Sequence, residues 1–435
     1  MKRLWCWLLV LAMTTVLCVV PALAQEVPEL TYLRWDNDPF TEAEWAEIEA
    51  KIGAKVNLIV VPFDEYYTKL NTLIAAKETP DLFQISEYLA VEWGEKGLSQ
   101  DLVPLFKEMG VELRDTYLPA SLYGSEGHVY GITSGLTCIM LFYNRDLFDK
   151  YDLPYPSNDP ANPITWDEYV KLAQQLTRDA QGRTPLDSGF DPFEVLSYGT
   201  KSTTWTFSLT ALLFSNGTGM FSPDGMSLAF NTDEAKHVLN EMSKLSAEYK
   251  CAPDAVISAS LPGNVQMFKD GLLGMCVEGS FMINSYVKEN ANFGIAPLPS
   301  FGTPATATWS AATAISAATK HTSEATKLIQ ILANNSGSQY PSLIDDYEPE
   351  AFNAWADSLG LKEEDKVWMP GYINSEASKI HEAVYIKNYG TIIDEAVSPV
   401  LDKLWAGEIN VDQLAVETAE KAEGMFQGSY SAIEQ

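Results

Sequence analysis

From residue 30 to residue 85 the sequence alternates between two hydrophobic periods, and no other feature narrows the possible folds as far. Leu30–Trp35 is a short β-type run that breaks at Asp36-Asn37-Asp38-Pro39, and Thr41-Glu42-Ala43-Glu44 then carries a helix N-cap signal with acids in the first turn. Lys55–Val61 is a β-branched run, Asp64–Lys77 has helical apolar spacing, and Asp81–Ile85 is strand-like again after Thr79-Pro80. This order predicts a largely parallel sheet, and such a sheet gathers ligand sites in the loops at the carboxyl ends of its strands. Those loops begin near Trp35, Pro62 and Ser86. At 435 residues the chain also exceeds the size at which one hydrophobic core stops growing, about 250–300 residues, so two lobes are expected.

The first 24 residues are of a different kind. A basic start (Lys2, Arg3) runs into apolar residues from Leu4 to Val20, and Ala22-Leu23-Ala24 follows before Gln25, the three parts of a cleavable secretory signal. An uncleaved anchor would want a longer apolar run and would leave the small-x-small site without a purpose. Cys18 is a poor lipid-attachment site, because Leu17 stands where a small residue belongs. Cleavage after Ala24 places the remainder outside the cytoplasmic membrane, in the periplasm or its equivalent, with a net charge more negative than the −30 of the full sequence. With 59 Asp+Glu against 29 Lys+Arg, the surface repels nucleic acid and anionic membranes, both of which need basic side chains to displace counterions. Cys138, Cys251 and Cys276 are odd in number and widely spaced, so each reads as a small buried apolar residue rather than part of a disulfide framework or zinc knuckle.

Further along, the apolar stretch Cys138–Tyr143 leads to a Pro/Asn-rich loop, Pro154–Pro163, and Thr165-Trp166-Asp167-Glu168 can cap the helix after it. The first crossing between lobes is placed near Leu141. Helical patterns dominate Thr204–Tyr249 and the C-terminal part, while Phe293–Leu298 and Thr313–Ser316 look like strands that rejoin the first lobe's sheet.

Several blocks, in this order, resemble the extracytoplasmic solute-binding proteins of carbohydrate ABC transporters, the maltose-binding-protein-like family 1. They are Trp35-Asp36; Ile52-Gly53-Ala54-Lys55-Val56; Thr79-Pro80-Asp81-Leu82-Phe83; Val129-Tyr130-Gly131-Ile132; and Phe142-Tyr143-Asn144-Arg145-Asp146-Leu147-Phe148. Thr165-Trp166-Asp167-Glu168, Phe268-Lys269-Asp270-Gly271, Glu278-Gly279-Ser280-Phe281, Ile295-Ala296-Pro297-Leu298-Pro299 and Ala314-Ile315-Ser316 complete the series. Each block alone is weak, and together they cover nearly the whole chain after the leader. The loop Tyr155–Pro163 is longer than that family usually has, and the acidic segment Asp345–Trp368 matches no part of its pattern. The resemblance implies an α/β, two-lobed periplasmic-binding-protein fold of type II, each lobe a mainly parallel sheet flanked by helices, joined by a hinge. It implies residues 25–140 and 300–338 in the first lobe and 141–299 and 339–435 in the second, after a signal peptide at 1–24. It further implies a monomer without cofactor that closes on a sugar or oligosaccharide and hands it to the permease subunits of an ABC transporter.

A neutral sugar presents hydroxyls, which carboxylates bind well, and patches of C–H bonds, which aromatic faces cover. The predicted loop ends carry both kinds of partner. Trp35, Asp36 and Asp38 follow the first strand, Asp64 and Tyr66 with Tyr67 the second, and Glu87 with Tyr88 the third. Neighbours on a helix point in different directions, so at most one of Tyr66 and Tyr67 faces a cleft. Asp36 and Asp38 serve equally well as helix caps. In the second lobe the resemblance makes Glu278, Gly279, Ser280 and Phe281 a ligand-facing turn, although Glu278 could instead pair with a base or cap a turn. Trp205, Trp309 and Tyr372 are further candidates, and Trp45, Trp93 and Trp166 read as packing residues.

Acids and aromatics also line glycosidase sites, so a secreted carbohydrate-active enzyme is the alternative from another class. Nothing selects a catalytic pair of carboxylates, and His128, His237, His321 and His381 lack metal-ligand spacing. No catalytic or metal-binding residue is therefore expected. A polyamine would suit the same acids and rings through charge and cation–π contact, and stays open on chemistry alone.

Overall fold

The computed structural model describes residues 27–35, 38–335, 339–373 and 375–431. The leader 1–24 and the candidate Asp36 lie outside the described residues. The chain opens as predicted, with β1 (Glu29–Trp35), α1 (Glu42–Ile52), β2 (Lys55–Val61), α2 (Phe63–Ala76), β3 (Leu82–Ile85) and α3 (Glu87–Glu95). Local chemistry explains the boundaries. Thr41 and Glu44 form a reciprocal capping box that starts α1, and Gly53, at a φ of 77°, ends it in the left-handed region open to glycine. Thr165 and Glu168 repeat the same device before the helix Trp166–Leu176.

The remaining strands are β4 (Leu122–Tyr123), β5 (Gly131–Ile132), β6 (Gly135–Asn144), β7 (Arg178–Asp179), β8 (Val195–Lys201), β9 (Leu273–Gly279), β10 (Phe293–Ala296), β11 (Thr306–Trp309), β12 (Ala312–Ile315), β13 (Tyr340–Pro341) and β14 (Ser378–Ile380). They form two sheets. The first runs β2-β1-β3-β12-β5-β4, and the second β14-β11-β6-β9-β8-β7, with β10 and β13 also paired to the long strand β6.

The sheets are mixed where the sequence predicts mainly parallel ones. In the first, β1 pairs parallel with β2 and β3, but β12 enters antiparallel to β3 and β5. In the second, β8–β9 and β11–β14 are parallel, and β6 is antiparallel to each of its partners. The physical reason is the route of the chain. Helical crossovers give parallel pairing from β1 to β3 and again from β8 to β9, whereas β6, β11 and β12 are joined to the other sheet by short crossings that allow either direction.

Strand membership changes at Thr133-Ser134, between β5 and β6, and again at Ser310-Ala311, between β11 and β12. Leu141, where the first crossing is expected, lies mid-strand in β6, and Phe293–Ala296 pairs with Leu141–Asn144 in the second sheet, not the first. All ten residues of β6 are buried. Such a wholly buried run has no exposed face to mark which sheet it joins. A third connection runs from the helix Thr322–Ala333, packed on the first sheet, to β13 in the second.

The acidic segment that matched no family pattern covers the second core. Its helix Pro349–Ser358 buries Phe352 and Ala356, and Asp365 reaches inside to Arg145 at 2.9 Å, with both side chains at most 3% exposed. The Arg145 guanidinium also donates to the Phe293 carbonyl, and the Ile295 amide donates to Asp365. Removing either partner would strand a buried charge.

Candidate functional site

On the first lobe the site begins where β1 ends. Trp35 is half-buried, with Tyr66 edge-on at 4.8 Å and Phe63 at 5.5 Å. Tyr66 is fully buried, and its hydroxyl donates to the backbone carbonyls of Gln84 at 2.5 Å and Leu33 at 3.2 Å, so it ties β1 to β3. This corrects the expectation for Tyr66: desolvating a phenol is tolerable where the hydroxyl has partners, and those partners are structural. Tyr67, one position on, is the partly exposed member of the pair. Its hydroxyl donates to Ser86 Oγ at 2.7 Å and accepts from the Ser86 amide at 2.8 Å, which fixes the turn leading into α3.

That turn presents Glu87 and Tyr88. Glu87 is 6% exposed at the first position of α3, and burial pushes its carboxyl up to about 7, opposed by a hydrogen bond from its own backbone amide. Tyr88 meets the ring of Tyr389 at 5.8 Å. The field of Glu87 reaches the phenols of Tyr67, Tyr88, Tyr123 and Tyr389. Tyr123 in turn grips the second crossing, donating to the Ser310 carbonyl at 2.6 Å and accepting from the Ser310 amide at 2.7 Å.

The second lobe contributes rings with open surface. Trp205 and Phe281 are 39% and 40% exposed and meet edge to face at 5.9 Å. Trp309, buried, backs Trp205 at 5.5 Å, and Phe207 lies between Trp309 at 4.5 Å and the imidazole of His381 at 4.1 Å. His381 is completely buried. Burial pushes its pKa down to about 3, and Nδ1 accepts from the Ala383 amide, so the ring is neutral with its proton on Nε2. Beside Trp205 and Phe281 opens a pocket of about 210 Å³, lined by the loop Lys201–Trp205 and by Asn264, Glu278, Gly279 and Met282. At Gly279 a Cβ would stand 2.2 Å from the Phe281 ring, so a larger residue there would displace that ring. Glu278 accepts from Asn264 Nδ2 and from the Tyr286 hydroxyl, both at 2.8 Å; burial raises its pKa and these bonds oppose the rise.

Ring contacts link the two lobes: Tyr88 to Tyr389, Tyr389 to Phe207 at 6.4 Å, Phe207 to Trp205 at 5.0 Å, and Trp205 to Phe281. The structure thus gathers Trp35, Glu87 and Tyr88 on one wall and Trp205, Glu278, Gly279, Phe281 and Trp309 on the other. Other candidates fall elsewhere. Asp38 accepts from the Phe40 amide and from Trp45 Nε1, so it orders the entry to α1. Asp64 is exposed in the first turn of α2, where a carboxylate suits the helix dipole. Ser280 is buried with Oγ accepting from the Cys138 amide. Tyr372 lies in the second core, its hydroxyl accepting from the Leu298 amide and donating to the Ala305 carbonyl, so it does not reach the pocket.

Sequence reasoning missed Asn264, Phe207, His381 and Tyr389. Phe207 lies in the helix Thr206–Ser215, which is apolar on all sides, so nothing singles it out, and nothing local marks the segment around His381 and Tyr389 as returning to the cleft. Among the described residues, no group of three or more His, Cys, Asp or Glu is placed to hold a metal, and no helix is long and apolar enough to cross a membrane.

Comparison with known proteins bears on this geometry. An ABC substrate-binding protein from Listeria monocytogenes, solved in complex with cycloalternan, is similar with a TM-score of 0.73 and 19% identity, covering 92% of this chain and 99% of that one. A sugar-binding protein from Xanthomonas citri has a TM-score of 0.71 at 16% identity, covering 91% and 97%. At such identities the likeness shows a shared fold, the two-lobed type II form. In sequence, a protein of Brucella abortus named as a binding protein is 26% identical over 283 residues, so the chain spans 62% of that relative's length and 62% of its own. The arabinooligosaccharide-binding protein of Bacillus subtilis is 24% identical over 198 residues, 44% of this chain and 40% of that one. The family described as bacterial extracellular solute-binding protein matches residues 36–339, well over half the chain. The family and the similar proteins are binding proteins rather than enzymes, and this chain belongs to the bacterial extracellular solute-binding proteins.

Proposed function

We propose that the chain, exported by a leader cleaved after Ala24, works as a monomer that captures a sugar or oligosaccharide between its lobes and delivers it to an ABC transporter permease. One observation carries this reading. A continuous track of aromatic rings, from Tyr88 to Phe281, bridges the lobes, with the carboxyls of Glu87 and Glu278 beside its two ends. Rings cover C–H faces and carboxyls accept from hydroxyls, the pairing that a sugar requires. Trp35, Glu87, Tyr88, Trp205, Glu278 and Phe281 are the residues we assign to ligand contact. The ligands named for similar proteins, cycloalternan and arabinooligosaccharide, support a saccharide.

The chemistry favours a sugar over a polyamine. Glu278 already has two strong donors, and burial holds Glu87 close to neutrality, so neither stands ready as a free anion for a cation. Binding would shift the population toward a closed form that turns about the connections at Thr133-Ser134 and Ser310-Ala311. A thermal-shift screen of mono- and oligosaccharides against polyamines tests the proposal, since a ligand of the folded state raises the midpoint by mass action. A shift with saccharides that Trp205→Ala reduces is expected. Shifts with polyamines alone, or chromatographic turnover of a saccharide hit, would overturn it.

A further inference from the structure

The second-lobe pocket holds an ammonium that no carboxylate contacts. Of the residues lining it, only Lys201 and Glu278 are charged types. The oxygens of Glu278 are taken up by Asn264, Tyr286 and the Cys276 thiol. The side chain of Lys201, the partly buried last residue of β8, has no hydrogen bond and no carboxylate within 4.0 Å among the described residues; its field reaches Glu278 without an ion pair forming. Among the described residues Lys55, Lys96, Lys236, Lys244, Lys269, Lys366 and Lys403 each reach a carboxylate, whereas exposed lysines such as Lys51, Lys69 and Lys320 reach none; Lys201 differs from the latter in being partly buried and in lining a pocket.

An open pocket leaves the ammonium hydrated. Closure of the lobes on a ligand removes that water, and an ammonium stripped of water without a counter-charge in contact is costly. Glu278 lies beyond ion-pair distance and its oxygens already accept from Asn264, Tyr286 and Cys276, so an anionic group on the ligand is the counter-charge that can meet the ammonium directly. The pocket's other polar groups include the hydroxyls of Ser202, Thr203 and Thr204, which suit ring hydroxyls. A phosphate asks for several donors or an Arg fork, and no Arg lines this pocket. At about 210 Å³ the space is smaller than the 300–1,000 Å³ of a drug-sized site and matches a single sugar unit.

We propose that this pocket takes an acidic sugar, a uronate unit whose carboxylate pairs with the Lys201 ammonium while its ring packs on Trp205 and Phe281. The proposal rests on the saccharide reading above. It makes the second lobe the determinant of ligand charge and gives one lysine that role in a strongly acidic protein.

Calorimetric titration with galacturonate disaccharide and trisaccharide, with the same sugars after reduction of their carboxyls, and with glucose 6-phosphate tests it at low and high salt. The uronates should bind about 10-fold or more tighter than their reduced counterparts, the size of one charge-assisted hydrogen bond, and salt should shrink the gap. Lys201→Gln should erase the gap while leaving the affinity for the reduced sugars within about 2-fold, and Lys201→Arg should retain most of it. Circular dichroism checks that both variants fold. Equal or tighter binding of the reduced sugars, equal loss for both ligands in Lys201→Gln, or preference for the phosphate overturns the proposal while leaving saccharide capture intact. Failure of every saccharide to bind the wild-type protein overturns both.

Discussion

The two walls of the cleft are made from the same kinds of side chain and held in opposite ways. On the first lobe the rings are locked. Tyr66 and Tyr67 bond to the backbone of β1 and β3 and to Ser86, and Trp35 meets Tyr66 edge-on and Tyr67 at a tilt, so this wall presents a fixed outline with one buried carboxyl. On the second lobe Trp205 and Phe281 keep about two-fifths of their surface open, backed by Phe207, Trp309 and His381. The difference divides the work. On the proposed reading a ligand would gain apolar area chiefly from the second wall, and the first would supply shape and a proton-bearing group. The lobes also differ beneath the surface: the first lobe's ion pairs, such as Lys96–Glu92, are exposed, whereas the second buries Arg145 against Asp365.

The largest expected effect tests that last contrast. Arg145→Ala should destabilise the protein by about 3–5 kcal/mol in denaturant titration, because Asp365 would remain buried without its partner. Lys96→Ala in the first lobe should change stability by less than about 1 kcal/mol. Similar losses for the two would remove the distinction.

Glu87 gives the next largest effect. Its carboxyl titrates at about 7 in the folded protein against an ordinary value of 4.5, so the native state binds more protons than the unfolded state between those limits. Stability contributed at low pH is therefore lost as pH rises from 4.5 to 7, by about 3 kcal/mol in all, and the curve is flat for this group above 7. Glu87→Gln should remove that part of the slope, which denaturation across pH 4–8 would reveal. An unchanged slope would mean that the first wall holds no such proton.

Binding should then separate the walls. Trp205→Ala and Phe281→Ala should each weaken saccharide affinity about 10-fold or more with little change in melting midpoint, since half-open rings contribute more to the ligand than to the core. Tyr66→Phe should do the reverse, costing about 1–2 kcal/mol of stability with affinity unchanged in calorimetry. The smallest effect is reserved for Tyr372→Phe, which should lose about 1 kcal/mol and leave binding untouched, because its hydroxyl is engaged away from the pocket by the Leu298 amide, the Ala305 carbonyl and Thr306.

Features whose partners lie within one helical turn are legible in the amino-acid sequence. The capping boxes at Thr41 and Thr165 need only a Glu three residues on, and both form. The β1–α1–β2–α2–β3 alternation likewise places Trp35 and Glu87 at strand ends. Where two neighbours are chemically equal, as with Tyr66 and Tyr67, pattern says that one turns inward but not which. Asp38 and Ser280 carry site chemistry in the right region, and hydrogen bonds to Trp45 and to the Cys138 amide engage them structurally. The wholly buried run of β6 hides the place where the chain changes sheet, and the acidic segment hides Asp365, whose partner Arg145 is 220 residues away.

By itself, then, the order of residues determined the secondary elements, the need for two cores and the kinds of side chain available for a ligand. Those follow from forces acting over a few residues and from total apolar content. Tertiary structure alone decided which rings meet: Tyr88 finds Tyr389, and Trp205 finds Phe281, across stretches of chain that no local period spans. It also decided that Lys201 lines one pocket with Glu278 and Phe281, because β8 and β9 pair although they are far apart in the chain.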